Sequence, residues 1–324
     1  MIESAELVQW CDAHATSQLW VSVDGAPVIE RCFGGTGPSD AADVGSIQKN
    51  VVCLAIAVLV GRGDTDIDQP MTTWLGRGWT QATPAQEDAI TLRHVMSMTT
   101  GLYEDLTFEA DPGTVWTYNN HAYHLVKKAL AELTGQTTQQ LFDELIFGPL
   151  GMDDSRWLNR DGNVLAGGWQ VSALHTSARD LTRFGEAMLD RGRAVGADAD
   201  FLAEATHTSQ GLNASWGLFW WDFSAPSAIV LGHRPGDIVD PLKPLGGIPI
   251  DRRITPDAPL DTFGGIGFGD QRIYVVPSRR AVVVRLGGPT IVDGERPRPI
   301  DLELWRRLDL SSHAPTPTPR EGTS

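Results

Sequence analysis

Ser46 and Lys49 are three residues apart at the start of a strongly apolar segment. Residues at this spacing share one face of a helix, so the Lys49 side chain can approach the Ser46 hydroxyl. A serine hydroxyl does not ionise near neutral pH, and a lysine with a pKa lowered by burial can accept its proton. The helix N-terminus adds free backbone N–H groups and a favourable dipole. The pair predicts a lysine-activated nucleophile; a helix-capping serine followed by a solvated lysine is the alternative.

A second polar group lies in the segment Tyr118-Asn119-Asn120, which follows Pro112-Gly113 and precedes a helical pattern. A tyrosine close to the lysine would lose its proton more easily and could serve as a general base. Asn120 could hold a substrate carbonyl or the lysine. A tyrosine that only packs or caps the helix is the alternative for this segment.

Two other patterns could indicate ligand binding. Glycines at 264, 265, 267 and 269 suit a strand that a ligand approaches closely. This segment leads into a strand and has no following lysine, so a phosphate loop is not predicted. His121 and His124 lie one helical turn apart without a nearby third ligand, so surface histidines are predicted and no metal.

The elements that must position these residues change character along the chain. Strands are predicted at 19–23 and 27–33 around the turn Asp24-Gly25, and a buried helix from Ser46 to Gly61. Residues 62–215 are predicted to be helices and loops, with helices over 88–99, 120–134, 137–146 and 177–191. Strands are predicted at 228–232, 271–277 and 281–287, and a last helix at 302–310.

The predicted fold class is α+β. An antiparallel sheet built from N- and C-terminal strands is flanked by helices and carries a large helical insert. The predicted organisation is a single domain over 1–312, with an α/β lobe of 1–61 and 216–312 and a helical lobe of 62–215. A disordered tail is predicted over 313–324.

Composition excludes several partners. The 324 residues carry 26 Lys+Arg against 41 Asp+Glu, a formal charge of −15, and contain no basic cluster. Nucleic acid and anionic membranes are therefore not predicted partners. Three cysteines are too few for a disulfide framework, the N-terminus lacks a secretory pattern, and the apolar run 51–60 is too short to span a bilayer. A cytoplasmic protein is predicted.

Taken together, the motifs resemble the serine β-lactamase-like superfamily, closest to its class C and esterase branch with nylon-oligomer hydrolases and D-aminopeptidases. The resemblance runs from about residue 40 to 290 and rests on segments in the family's order, at 45–52, 90–102, 112–120, 147–152 and 177–181. It implies a penicillin-binding-protein-like fold, Ser46 as the acyl-enzyme serine and Lys49 as its activator. It also implies Tyr118 as general base and Asn120 as a polar orienting group.

Two departures from the family pattern matter. The third motif is usually a Lys or His, then a Thr or Ser, then Gly, and here it is Gly265-Ile266-Gly267. The group expected to hold a carboxylate is absent, but the backbone N–H groups of Ser46 and Phe268 would still form an oxyanion hole, with Ile266 as the alternative second donor. The loop between Leu102 and Pro112 is also short, which predicts an open acyl pocket.

The sequence therefore predicts a serine hydrolase that cleaves an ester or amide bond of a small-molecule substrate through an acyl-enzyme on Ser46, without cofactor. A β-lactamase or D-amino-acid peptidase on the same fold is one alternative. A non-catalytic relative that binds a ligand and a metal hydrolase using His121 and His124 are two others.

Overall fold

The computed structural model describes residues 4–165, 168–231, 247–290 and 298–310. Its α-helices are α1 (Ala5–Ala13), α2 (Gln48–Arg62), α3 (Thr72–Leu75), α4 (Pro84–Asp88), α5 (Leu92–Met96), α6 (Asn120–Thr134), α7 (Thr138–Phe142), α8 (Gly148–Leu150), α9 (Ala178–Leu189), α10 (Ala199–Ala205) and α11 (Pro299–Arg307). Its strands are β1 (Thr16–Val23), β2 (Ala26–Cys32), β3 (Ala42–Asp43), β4 (Arg156–Val164), β5 (Gln170–Thr176), β6 (Trp221–Asp222), β7 (Ala228–Leu231), β8 (Gly247–Ile250), β9 (Phe263–Gly267), β10 (Gln271–Val276) and β11 (Ala281–Gly287).

The main sheet joins the two ends of the chain. Its six strands lie in the order β2-β1-β11-β10-β9-β6 and every neighbouring pair is antiparallel. The N-terminal hairpin meets the C-terminal hairpin where β1 pairs with β11. The predicted α+β fold with this antiparallel sheet is confirmed.

Helices cover both faces of the main sheet. On one face α9 approaches β11 so closely that a Cβ at Gly185 would overlap the Val282 side chain. On the other face Tyr274 of β10 contacts Trp305 of α11, with ring centroids 5.1 Å apart. Successive side chains of a strand point to opposite faces, and this alternation gives each helix its own apolar surface to bury.

α2 runs through the interior and carries the predicted nucleophile segment at its start. All of its residues from Gln48 to Leu59 are buried, as expected for a helix without a polar face. The helix continues past Gly61 and ends at Gly63, whose φ of 74° is the left-handed conformation that favours glycine. At Gly61 a Cβ would lie 2.9 Å from the Gly196 carbonyl oxygen, so this glycine permits a close contact and does not end the helix.

The prediction of helices and loops over 62–215 is wrong in one region. β4 and β5 pair with each other, and β5 also pairs with β3, to form a second sheet in the order β3-β5-β4. The segment of β4 is polar and mostly exposed, so it lacks the alternating apolar pattern that identifies a strand. The helix prediction at 120–134 matches α6, and 177–191 overlaps α9.

Several predictions are not tested by this fold. The division into lobes stays a prediction, and the tail 313–324 lies outside the described residues. Within the described ranges, the stretch Gly45–Arg62 is long and apolar enough to cross a membrane by length and composition alone. That stretch is 78% buried inside the protein, as a core helix is.

A buried ion pair attaches α11 to the sheet and yields a stability prediction. Arg272 and Asp301 are both almost fully buried, with Arg272 Nε 2.7 Å from one Asp301 oxygen and Nη2 3.0 Å from the other. Asp301→Ala leaves the guanidinium without this partner, so we expect the free energy of unfolding to fall by about 3–5 kcal/mol. Chemical denaturation measures this change.

The matched control is Arg306→Ala, which removes two ion pairs near the surface, one to Asp257 and one to Glu303. We expect that change to alter the free energy of unfolding by less than about 1 kcal/mol. Equal losses in the two variants would contradict a structural role for the buried pair.

Candidate active site

Ser46 lies in a short 3-10 turn, Gly45–Ile47, directly before α2. The Asp43 carboxylate anchors this turn, because it accepts the Gly45 N–H at 2.8 Å and pairs with Arg160 of β4 at 2.7 Å. Ser46 itself is half-buried. The β3-β5-β4 sheet that the sequence analysis missed therefore helps to position the candidate nucleophile.

Lys49 is 1% exposed and its ammonium reaches three kinds of partner. Nζ donates to Ser46 Oγ at 3.3 Å and to Asn120 Oδ1 at 2.9 Å. It also lies 4.6 Å from the ring centroid of Tyr118 and 4.3 Å from that of Tyr123. The structure thus brings together Ser46, Lys49 and Asn120, as the sequence predicted, with Tyr118 against the same amine.

The pKa values of Lys49 and Tyr118, the two candidate proton acceptors, shift in opposite directions. Burial lowers the pKa of Lys49 to about 7, with the Glu104 carboxylate opposing that shift and Arg160 adding to it. Burial raises the pKa of Tyr118 above its usual value, although a hydrogen bond with Ser46 acts in the other direction. Near neutral pH Lys49 is therefore partly a free amine, whereas Tyr118 keeps its proton.

Aromatic packing holds the Tyr118 ring. It lies edge-on to Trp216, with centroids 5.6 Å apart, and contacts Trp116 at 6.3 Å. The Trp216 indole N–H donates to the Met96 carbonyl at 3.0 Å. Tyr118 therefore sits in a rigid apolar wall, which is also the source of its desolvation.

The two neighbouring asparagines have different roles. Asn119 is the N-cap of α6, accepting the Ala122 N–H at 2.8 Å and donating to the carbonyls of Leu102 and Tyr103 at 3.3 and 2.7 Å. Asn120 faces Lys49. Asn119 is a structural residue and Asn120 belongs to the site.

The glycines of β9 pack closely against neighbouring residues on the side where a side chain would begin. Close approach of a ligand to this strand stays a prediction. A Cβ at Gly267 would overlap the Val44 carbonyl, and one at Gly265 would overlap Asn50 Oδ1. Asn50 Oδ1 therefore occupies the place where a side chain at position 265 of the third motif would begin. The Asn50 side-chain amide donates to the Phe219 carbonyl at 2.7 Å.

This close packing brings the end of β9 to the nucleophile turn. Gly45 has a φ of +56°, and a Cβ there would lie 2.6 Å from the Phe268 amide nitrogen. The Phe268 amide therefore lies against the residue that precedes Ser46, while the Phe268 side chain is 93% exposed. Ile266, the other candidate donor, is half-buried and is not among the nearest contacts of Gly45.

Two charged neighbours of this cluster were not predicted from the sequence. Glu104 lies on the short loop between Leu102 and Pro112 and accepts the Asn120 N–H at 2.9 Å. Lys127 of α6 is 1% exposed and donates to the Ser172 carbonyl at 2.5 Å and to Ser172 Oγ at 3.2 Å. Lys127 lies four residues after Tyr123, so both side chains share one face of α6. That spacing could have predicted that Lys127 lies near the same tyrosine as Lys49.

The prediction of surface histidines is wrong for His124. It is 7% exposed, and burial lowers its pKa well below the usual value. His121 is half-buried. Across the ranges that the structure describes, no group of three or more His, Cys, Asp or Glu side chains could hold a metal ion.

Comparison with known proteins identifies the family to which the chain belongs. A family model described as Beta-lactamase matches residues 7–287. Esterase EstB of Burkholderia gladioli is 26% identical over 150 residues, which cover 36% of this chain and 38% of that protein. The D-alanyl-D-alanine-carboxypeptidase/endopeptidase AmpH of Escherichia coli strain K12 is 23% identical over 176 residues, 44% of this chain and 46% of that protein.

A solved structure extends the likeness along the chain. The penicillin binding protein from Bacillus halodurans superimposes with a TM-score of 0.65 at 13% identity, covering 90% of this chain and 96% of that one. At this identity the match shows the fold alone. The alignments with the curated relatives span less than half of those proteins.

The fold is the one found in β-lactamases and penicillin-binding proteins. Because the family model covers most of its length, the chain belongs to the beta-lactamase family. Its named relatives are hydrolases, an esterase and a peptidase.

The separate roles of the two asparagines can be tested by stability. Asn119→Ala removes a helix cap and two buried hydrogen bonds to the preceding loop, so we expect it to lower the free energy of unfolding by about 2–3 kcal/mol. Urea denaturation at pH 8 measures this loss. Asn120→Ala serves as the control and should cost less than half as much; the reverse order would contradict the assignment of the cap.

Proposed function

We propose that the protein is a serine hydrolase that cleaves ester or amide bonds through an acyl-enzyme on Ser46. The observation that supports this most directly is the contact of Ser46 Oγ with a buried lysine whose pKa lies near neutrality. A serine beside an amine that is partly unprotonated has a base within hydrogen-bond reach, which is the requirement for an activated nucleophile.

In the first step, Ser46 Oγ attacks the substrate carbonyl carbon and its proton passes to the free amine of Lys49. In this scheme Tyr118, which is protonated at rest and faces Lys49, hands a proton to the leaving group and recovers one from Lys49. The carbon–oxygen or carbon–nitrogen bond breaks and an acyl-Ser46 ester remains. The resemblance implies Tyr118 as the base, whereas the two pKa shifts favour Lys49.

In the second step, water attacks the acyl-Ser46 ester with Lys49 again accepting a proton. The bond to Ser46 Oγ breaks, the acid leaves, and the serine regains its proton. The amides of Ser46 and Phe268 stabilise the oxyanion in both steps, each at about 3 kcal/mol. The position of the Phe268 amide against Gly45 supports this pair over one that uses Ile266.

The substrate is proposed to be a small uncharged ester or amide. Position 265 is a glycine whose missing Cβ would overlap Asn50 Oδ1, so this position offers no cationic side chain to hold a substrate carboxylate. The likeness to EstB supports an esterase. Cleavage of D-alanyl peptides is the second candidate, which the likeness to AmpH supports. The proposed steps need no cofactor, and a cytoplasmic location stays a prediction.

Removal of the nucleophile is the first test. Ser46→Ala should lower the turnover of a p-nitrophenyl ester by about a thousandfold or more and abolish covalent labelling by a fluorophosphonate. Ser39→Ala, at an exposed serine on the loop before β3, is the control and should label normally. Labelling of the Ser46→Ala protein would overturn the assignment. Faster hydrolysis of D-Ala-D-Ala peptides than of esters would favour the second candidate.

The pH dependence of the reaction is the second test. Lys49 must be unprotonated to accept the serine proton, so kcat/KM should rise with pH and reach half its maximum near pH 7, the pKa of Lys49. Below that midpoint it should fall by about tenfold per pH unit. Measurement with an uncharged p-nitrophenyl ester avoids titration of the substrate. A profile flat from pH 5 to 8 would exclude Lys49 as the base.

A further inference from the structure

We infer that Glu104 is a positioning residue of this site, which orients Asn120 against Lys49 and uses its negative charge to hold a proton on the lysine. The inference rests on the proposed function, since it concerns the base that activates Ser46.

Two hydrogen bonds link the Glu104 carboxylate to the amine. Glu104 Oε2 accepts the backbone N–H of Asn120 at 2.9 Å, and Asn120 Oδ1 accepts from Lys49 Nζ at 2.9 Å. Asn120 is thus bound by Glu104 through its backbone N–H and by Lys49 through its side-chain oxygen. A shift of the carboxylate would move the amide oxygen that the lysine needs.

The loop that carries Glu104 is held in place on both sides of it. Asn119 Nδ2 donates to the Tyr103 carbonyl, one residue before Glu104, at 2.7 Å. At the base of the loop Gly101 has a φ of +69°, and a Cβ there would overlap the Ala110 carbonyl. Glu104 is half-buried, so its charge is only partly screened by water.

The charges that face Lys49 come from several elements. Glu104 supplies the negative charge that raises the pKa of Lys49, and Arg160 of β4, paired with Asp43, supplies an opposing positive one. On α6, Lys127 and His124 are also within electrostatic reach, and burial lowers the pKa of both. The hydroxyls of Tyr118 and Tyr123 complete the set, and burial raises the pKa of each.

The sign of the effect follows from these charges. Glu104 stabilises the ammonium form of Lys49, so its removal lowers the pKa of the lysine. At mildly acidic pH a larger fraction of the enzyme then holds the free amine and can accept the serine proton. Above neutrality the lysine is already unprotonated, and the rate should change little.

A simple helix cap is the competing role, and Glu104→Gln separates the two. The glutamine amide oxygen can still accept the Asn120 N–H, so the cap is retained while the charge is removed. If Glu104 only caps α6, the variant keeps the wild-type pH profile. If the charge acts on Lys49, the acidic limb of the profile moves.

The experiment compares kcat/KM for p-nitrophenyl acetate between pH 5 and 9 in wild type, Glu104→Gln and Glu109→Gln. Glu109 lies on the same loop and accepts from Thr117 Oγ1 at 3.0 Å. Glu109→Gln is therefore a control that removes one negative charge from the same loop without touching the contact to Asn120. We expect the acidic midpoint of the Glu104→Gln profile to fall by at least half a pH unit, which corresponds to about threefold more activity at pH 5.5. The midpoint of Glu109→Gln should stay within about 0.2 pH units of wild type, roughly the experimental error.

Two outcomes would overturn the inference: an unchanged midpoint in a Glu104→Gln protein that folds and labels at Ser46, or an equal shift in Glu109→Gln. Fluorophosphonate labelling at each pH separates these from failure of the proposed function, because a wild type that never labels lacks an activated serine. Glu104→Ala adds a further check, since loss of the cap should lower stability there and not in Glu104→Gln.

Discussion

The site depends on one constraint, the burial of a lysine amine within an apolar helix. An ammonium removed from water is costly unless its donors are satisfied or its proton is lost. Around Lys49 both solutions are present, because Ser46 and Asn120 accept its hydrogen bonds and two tyrosine rings face it, while burial lowers its pKa to about 7. The same lack of water that makes the amine a base near neutrality makes Tyr118 a poor one.

The rest of the fold holds the parts of the site at fixed distances. The nucleophile turn is clamped between the Asp43–Arg160 pair and the end of β9, and α6 presents Asn120 because Asn119 caps it and fastens the preceding loop. The two clamps come from different sheets and are far apart in sequence. A rigid surround of this kind lets a small change in charge alter proton affinity without altering geometry.

Elements whose boundaries are set by neighbouring residues in the sequence could be predicted, and contacts between distant residues could not. α6 was predicted with its boundaries because local residues set them, Asn119 at one end and Gly135 with a left-handed φ of 69° at the other. β4 was missed because its pairing with β5 is supported by little apolar alternation. Ser46 and Lys49 could be found from a helical spacing, but Glu104 could not, because it reaches the site through the backbone N–H of Asn120, sixteen residues later. Contacts of that kind leave no pattern in side-chain types.

The fit between Gly265 and Asn50 has an evolutionary consequence. Any side chain introduced at position 265 meets the Asn50 amide, which is itself buried and held by the Phe219 carbonyl. A cationic residue could therefore be introduced at position 265 only together with a smaller residue at position 50, and that smaller residue alone would leave a void in the core. The two substitutions are each unfavourable and become compatible only together. Positions 50 and 265 are therefore coupled, and single substitutions do not easily exchange one combination for the other.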